Sequence, residues 1–210
     1  CARDYAGVNV VFTTEVPTDF VEYSTVEIGG EDPNGSGLFG LDNTAGKDTG
    51  NLRFNDVLGG FNADTRAQGY AAYGGIFPKE LLNLSPRLSD SPLTSDRFDD
   101  VFAAFAPPLG GSQALYQEAI SDSPRAQAIQ AAAIVLGNLI GNIVTHEVGH
   151  SLGLSATQGQ FHNVGDSGPH IMDAGVHRPF EERAEIDGFG PAVFSEDNRN
   201  YLKQILPVVQ

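Results

Sequence analysis

Cysteine is nearly absent from this sequence, since the one cysteine among 210 residues is Cys1. No disulfide can form within the chain, which excludes a small secreted domain held together by several disulfides. A cysteine at the first position leaves three interpretations open. It is the lipid-bearing start of a mature lipoprotein, the remnant of an inhibitory segment whose thiolate capped a metal, or a domain boundary.

Basic residues are also scarce, because 12 Lys and Arg stand against 27 Asp and Glu and give a formal net charge of −15. A surface so acidic repels the phosphates of nucleic acids and of anionic lipids, so neither is expected as a partner. It is typical of a secreted, extracellular protein, attached to the cell surface if Cys1 is lipidated. The sequence does not indicate an oligomeric state.

Long apolar runs are missing as well. The most apolar stretch, 131–143, contains two glycines and two asparagines and is too short to cross a bilayer. No transmembrane segment is therefore expected. With 40% hydrophobic residues, the chain has an ordinary globular composition, and its length predicts one domain.

Two segments rich in β-branched residues, 7–14 and 23–30, predict strands, and 69–78 predicts a third in which glycines mark a bulge or a close approach. Short helices are predicted at 96–106 and 195–206.

The clearest element is a long helix that begins at Pro124, with Ser123 as its cap, and ends at Gly153. The helix is apolar nearly all round through its middle, which predicts burial on every side. Gly137 and Gly141 are expected to let another element approach closely.

The segment 31–51 is rich in Gly, Asp and Asn and predicts a long loop. Its hard oxygen donors are of the kind that calcium selects, although their spacing is not that of an EF-hand. The loop therefore suggests a structural calcium site, with a solvated, turn-rich loop as the alternative. The candidate ligands are Asp32, Asn34, Asp42, Asn43, Asp48 and Asn51.

The end of the long helix carries the motif THEVGHSLGL, residues 145–154. His146 and His150 are four residues apart and differ by about 40° in direction, so both rings lie on one face. Two imidazoles on adjacent turns can bind one ion, and zinc is the usual metal at a hydrolytic site. Glu147 can reach a metal-bound water as general base. Three ionisable groups on an apolar helix need a compensating partner, which a metal provides.

Beyond these residues, the chain resembles the metzincin metalloproteases, whose pattern is His-Glu-x-x-His-x-x-Gly-x-x-His followed by a turn with a methionine beneath the metal. His146, Glu147, His150 and Gly153 match in place. HIMDAG (170–175) resembles the methionine turn, and Met172 is the only methionine. The resemblance covers 140–175. It implies a zinc-dependent endopeptidase.

The third ligand departs from the family's pattern. Ala156 stands three residues after Gly153 and cannot bind metal. Between the helix and the methionine turn the sequence offers three other donors, His162, Asp166 and His170. We favour His162, which an enlarged loop brings back to the metal, and keep Asp166 and His170 as alternatives.

Two further features weigh against a simple metzincin. The family often places a tyrosine two residues after the methionine, where it helps to stabilise the oxyanion, and here that residue is Ala174.

A rival zinc architecture takes its third ligand from a later helix, for which 179–187 supplies Glu181, Glu182 and Glu185. A solvated charged helix is the preferred interpretation of that segment, and His177 is expected to be a surface or substrate-side residue.

The predicted fold is α+β and metzincin-like, with a twisted mixed sheet over two long helices and a smaller, irregular C-terminal part. The division falls near Gly153, into subdomains 1–153 and 154–210. The predicted function is a secreted zinc endopeptidase with ligands His146, His150 and His162 and with Glu147 as base. Its substrate is a protein or peptide, paired with an edge strand such as 69–77. The alternative is a non-catalytic zinc-containing binding or adhesion module.

Overall fold

The structure is a computed structural model that describes residues 1–19, 23–43, 57–58, 72–154, 162–163 and 170–208. By their contacts these residues form two compact units. The first unit comprises 1–80, 141–174 and 192–210, and the second comprises 81–140 and 175–191. The α+β class is confirmed, whereas the predicted boundary at Gly153 and a metzincin-specific fold stay predictions.

The strands are short and lie in the first unit. Strand β1 (Thr25–Val26) pairs in parallel with β3 (Val57–Leu58), and β2 (Gly40–Leu41) pairs antiparallel with β4 (Gly75–Ile76). A parallel bridge between Ile28 and Ile76 joins the two pairs. Because β4 has partners on both sides, it is not an edge strand, and the expectation that 69–77 offers a free edge to a peptide is wrong for residues 75–76.

The predicted strand at 7–14 does not form. Its backbone pairs with no strand among the described residues, and the Asn9 N–H instead donates to the Leu206 carbonyl at 3.0 Å. Its apolar side chains pack near the chain's last helix, where Val8 is 7% exposed and Val10 and Phe12 are partly buried. A run of β-branched residues predicts a strand only where a partner strand is available.

The long helix, α3 (Pro124–Ser151), agrees with the sequence at both ends. The Ser123 hydroxyl accepts the Ala126 N–H at 3.1 Å, as an N-cap does. At the other end Gly153 has a φ of 93°, the Leu154 N–H donates to Gly149 and the Gly153 N–H donates to His150. These two bonds form a Schellman cap, which requires the left-handed backbone that glycine adopts without strain.

The prediction that α3 is buried all round is wrong in its first half. That half buries one stripe (Ala126, Ile129, Ala132, Val135, Leu139) and exposes the opposite side, where Ile134 is 66% and Leu136 is 39% exposed. No described atom lies within 4 Å of a Cβ built at Gly137 or Gly141, so the predicted close approach is absent on that side of both glycines. The contact made at Gly141 is with its carbonyl, to which the Cys1 thiol donates at 3.3 Å. A close approach occurs further along, at Gly149.

By length and hydropathy α3 could span a membrane. One 18-residue window of the helix has a mean hydropathy of 1.6, and 44% of that window is buried within the protein. Core helices of soluble proteins meet the same criterion, so the expectation that no segment crosses a membrane stays a prediction.

The remaining helices are short. They are α1 (Asp96–Phe102), α2 (Tyr116–Ala119), α4 (Phe180–Ala184) and α5 (Glu196–Ile205), together with 3-10 turns at Pro78–Leu84, Pro107–Leu109 and Gly175–His177. The helix predicted at 96–106 forms but ends at Phe102, four residues early. The helix predicted at 195–206 is confirmed, with Ser195 capping the Asn198 N–H at 3.3 Å. The expectation of two long helices is wrong for the described residues, because only α3 exceeds ten residues.

The core of the first unit surrounds the end of α3. Tyr5 and Val8 from the start of the chain pack there with Leu152, Leu154, Met172 and residues of α5. The Tyr5 hydroxyl donates to the Thr145 carbonyl at 3.0 Å, directly before His146. The turn of the helix that carries the motif is therefore held in a well-packed core.

Candidate metal centre

The structure brings together the three histidines that the sequence singled out. His146 and His150 project from adjacent turns of α3, and His162 approaches from the segment after the helix. Their ring centroids are 4.7, 5.3 and 5.3 Å apart, and one nitrogen from each ring lies within 4.8 Å of the other two. Among the described residues this is the one group of His, Cys, Asp or Glu that could hold a metal ion.

The two helical rings have a defined hydrogen-bond pattern. His146 Nδ1 lies 2.5 Å from the Ile171 carbonyl oxygen, which can only accept, so this nitrogen carries a hydrogen. His150 also bonds to the backbone of Leu154. The Nε2 atoms of the two rings face each other at 3.1 Å. With a hydrogen on Nδ1 the neutral His146 ring presents a lone pair at Nε2, towards His150, and a cation between the two Nε2 atoms would make this arrangement favourable.

The environment keeps these rings in the neutral form that binds metal. Burial, and next the charge of His162, lower the pKa of His150 from 6.5 to about 4. Burial also lowers the pKa of His162, while the charge of Asp173 acts in the opposite direction. A histidine must lose its proton to bind a metal, so a site with lowered pKa values is ready to bind at neutral pH.

A short backbone pairing places His162. The Asn163 N–H donates to the Met172 carbonyl at 3.0 Å, and Asn163 forms a parallel bridge with Asp173. His162 is thus fixed beside the segment whose Ile171 carbonyl binds His146. The segment that resembles the methionine turn therefore contacts His146 and the neighbour of His162 through its backbone.

Met172 packs against the helix between the two histidines of α3. Its side chain is fully buried, and a Cβ on Gly149 would lie 2.5 Å from its sulfur. Only a glycine at position 149 therefore allows the methionine to lie where it does. That Met172 lies beneath the metal stays a prediction.

Glu147 is held by strand β2 and by the residue that follows it, Asp42. Its Oε2 accepts the Asp42 N–H at 2.8 Å, and the side chain is 6% exposed. A Cβ on Gly40 would lie 2.9 Å from both Cγ and Oε1 of Glu147. This contact could not be predicted from the sequence, because 105 positions separate its partners.

The other candidates for a third ligand have different outcomes. Asp166 and Ala156 lie outside the described residues, and His170 is not part of the cluster. Glu182 lies in the second unit, where Arg178 binds both of its carboxylate oxygens at 2.7 and 3.0 Å and both side chains are 1% exposed. That ion pair occupies the carboxylate which the rival architecture would use.

The remaining residues of that segment also serve the second unit. Glu181 accepts a hydrogen bond from Ser95, and Glu185 is the C-cap of α4 in a left-handed conformation. Helix α4 is partly buried, so the expected solvated helix is wrong for this segment. His177 is exposed, as expected of a surface residue.

The calcium loop is described only in part, because Asp48 and Asn51 lie outside the described residues. Both carboxylate oxygens of Asp32 accept hydrogen bonds. Oδ1 accepts from Asn34, and Oδ2 accepts the Ser36 and Leu38 N–H groups at 2.9 and 3.4 Å. These bonds hold the turn. Burial is the largest single effect and raises the pKa of Asp32, but the hydrogen bonds together outweigh it, so the pKa is lowered. They favour the interpretation of Asp32 as a turn residue.

Comparison of the chain with protein-family models, with curated proteins and with solved structures found no match. The resemblance to metzincins therefore stays a prediction based on the motif.

Proposed function

We propose that the protein is a zinc-dependent endopeptidase of the metzincin type whose zinc ligands are His146, His150 and His162. The observation that supports this most strongly is the convergence of three imidazoles, with two Nε2 atoms 3.1 Å apart and facing each other. A structural role gives little reason to bring three partly buried imidazoles together without an ion.

The donor set fits zinc. Tetrahedral zinc with Zn–N bonds of 2.0–2.1 Å separates its ligand nitrogens by about 3.3 Å. The distance of 3.1 Å between His146 Nε2 and His150 Nε2 is close to this value. The ligand nitrogens of all three rings lie within 4.8 Å of one another, so only a small inward movement of the rings is needed to bind zinc. Three protein ligands leave the fourth position for water or substrate, as in catalytic zinc sites.

Glu147 is the proposed general base. When bound, zinc lowers the pKa of a water molecule and polarises the peptide carbonyl. Glu147 accepts the proton from that water and passes it to the leaving amine, so no covalent intermediate forms. The Asp42 N–H fixes one carboxylate oxygen and so sets the direction of the other. A peptide would pair with β2, the strand that contacts Glu147, rather than with β4.

A second candidate is a non-catalytic zinc module for binding or adhesion. It is favoured by the burial of Glu147, whose Oε2 is already hydrogen-bonded, and by the lack of a hydroxyl at Ala174. In this case the protein binds zinc but leaves peptides intact.

One experiment separates these functions. Zinc content and hydrolysis of casein or gelatin are measured for the wild type, His162→Ala, Glu147→Gln and the matched control His170→Ala. The protease predicts one zinc per chain in the wild type and in His170→Ala. It predicts loss of zinc and activity in His162→Ala, and retained zinc without activity in Glu147→Gln.

Other results would contradict the proposal. Zinc retained by His162→Ala but lost by His170→Ala would make His170 the ligand. A wild type that binds zinc and cleaves neither substrate would favour the binding module. A wild type without zinc would exclude both functions.

A further inference from the structure

We propose that Asp173 is the positioning residue of the third histidine, accepting a hydrogen bond from the ring N–H of His162 while the other ring nitrogen binds the metal. The inference rests on the proposed zinc site and adds a residue which the sequence did not single out. Carboxylates that orient a metal-binding histidine in this way fix its tautomer and raise its basicity.

The backbone pairs Asp173 with the residue that follows His162. Asn163, the neighbour of His162, bridges to Asp173, and its N–H donates to the Met172 carbonyl at 3.0 Å.

One oxygen of this carboxylate is available. Asp173 Oδ2 accepts the His170 N–H at 2.8 Å and so holds the turn. Its Oδ1 is buried and has no hydrogen-bond partner in the described part of the chain. A buried carboxylate oxygen without a donor is costly, and a ring N–H from His162 would supply that donor.

The other two histidines already have such a partner. His146 donates to the Ile171 carbonyl, and His150 bonds to the backbone of Leu154. Asp173 would complete the set, so that each of the three rings is oriented by one acceptor. It would be the only charged acceptor of the three.

The test is zinc affinity, measured by competition with a chromophoric chelator. In Asp173→Asn the amide oxygen can still accept the His170 N–H, whereas the amide nitrogen cannot accept from a ring N–H. We expect zinc to bind about 10–100-fold more weakly, with little change in the unfolding midpoint of the metal-free protein. Asp90→Asn, which alters an exposed carboxylate, is the matched control and should bind zinc like the wild type.

A double variant tests whether Asp173 acts through His162. Because His162→Ala is expected to lose zinc at stoichiometric concentration, the residual affinity of this background is measured with zinc in excess. There Asp173→Asn should cause no further loss of zinc affinity, and a further 10-fold loss would overturn the inference. Wild-type affinity in Asp173→Asn would overturn it while leaving the zinc site intact, whereas a wild type without zinc would overturn the proposed function as well.

If Asp173→Asn does not fold, NMR of the zinc-loaded wild type decides the question. A slowly exchanging ring N–H on His162 supports the inference, and a rapidly exchanging one overturns it.

Discussion

The contact between Gly149 and Met172 predicts a specific cost for a single added methyl group. In Gly149→Ala the new Cβ would lie 2.5 Å from the Met172 sulfur and 3.3 Å from both Met172 Cε and Leu154 Cδ1. Ordinary contacts between such atoms begin near 3.5 Å, so the sulfur must move by about 1 Å. Met172 and Leu154 are 0% and 1% exposed, so there is little room for this shift.

The magnitude follows from a comparison within one helix. Overpacking of a well-packed core lowers the free energy of unfolding by about 1–3 kcal/mol, and replacing glycine by alanine inside a helix raises it by about 1 kcal/mol. Gly141→Ala gains the same helix stabilisation without the overpacking cost, because no described atom lies within 4 Å of its Cβ. Gly149→Ala should therefore be about 1–3 kcal/mol less stable than Gly141→Ala.

Urea unfolding of the two metal-free variants measures this difference. Because Ile171 is the neighbour of Met172 and its carbonyl binds His146, Gly149→Ala should also weaken zinc binding, whereas Gly141→Ala should not. Equal stability and equal zinc affinity in the two variants would refute the packing described for Met172.

Three other predictions follow from the site and its surroundings. Gly40→Ala places a Cβ 2.7 Å from Ile143 Cγ2 and 2.9 Å from Glu147 Cγ and Oε1, so Glu147 must shift and kcat should fall about 10–100-fold at unchanged zinc content. Gly29→Ala, with no described atom within 4 Å of its Cβ, should leave kcat unaltered. The pKa of His150 is about 4 in the folded protein and 6.5 in the unfolded chain, so the free energy of unfolding of the metal-free protein should fall by about 3 kcal/mol as the pH falls from 6.5 to 4. Urea unfolding at several pH values measures this loss, which His150→Gln should lack. An identical pH dependence in the variant would contradict the prediction. Glu182→Gln breaks a buried ion pair and should lower the free energy of unfolding by about 3–5 kcal/mol without changing zinc content. Loss of zinc from the folded variant would instead support Glu182 as the third ligand.

The sequence predicted the features that depend on neighbouring residues. The cap at Ser123, the termination at Gly153 and the shared face of His146 and His150 follow from local helix geometry, and the structure agrees with them. The convergence of His162 was predicted because Ala156 cannot bind metal and His162 is the next histidine along the chain.

Features that depend on distant parts of the chain could not be predicted in this way. The contact of β2 with Glu147 joins residues 105 positions apart, and the position of Asp173 depends on its pairing with Asn163. The segment 7–14 has a strand-like composition but lacks a partner strand. The exposed side of α3 was missed because its alanines and isoleucines have the same composition as a buried face.

The most direct test of the central proposal is X-ray absorption spectroscopy at the zinc edge on the zinc-loaded protein. We expect three imidazole ligands at about 2.0–2.1 Å and one lighter oxygen ligand in the wild type, and two imidazoles in any zinc retained by His162→Ala. Two imidazoles in the wild type, or a spectrum unchanged in His162→Ala, would contradict the proposal that His146, His150 and His162 together bind the metal.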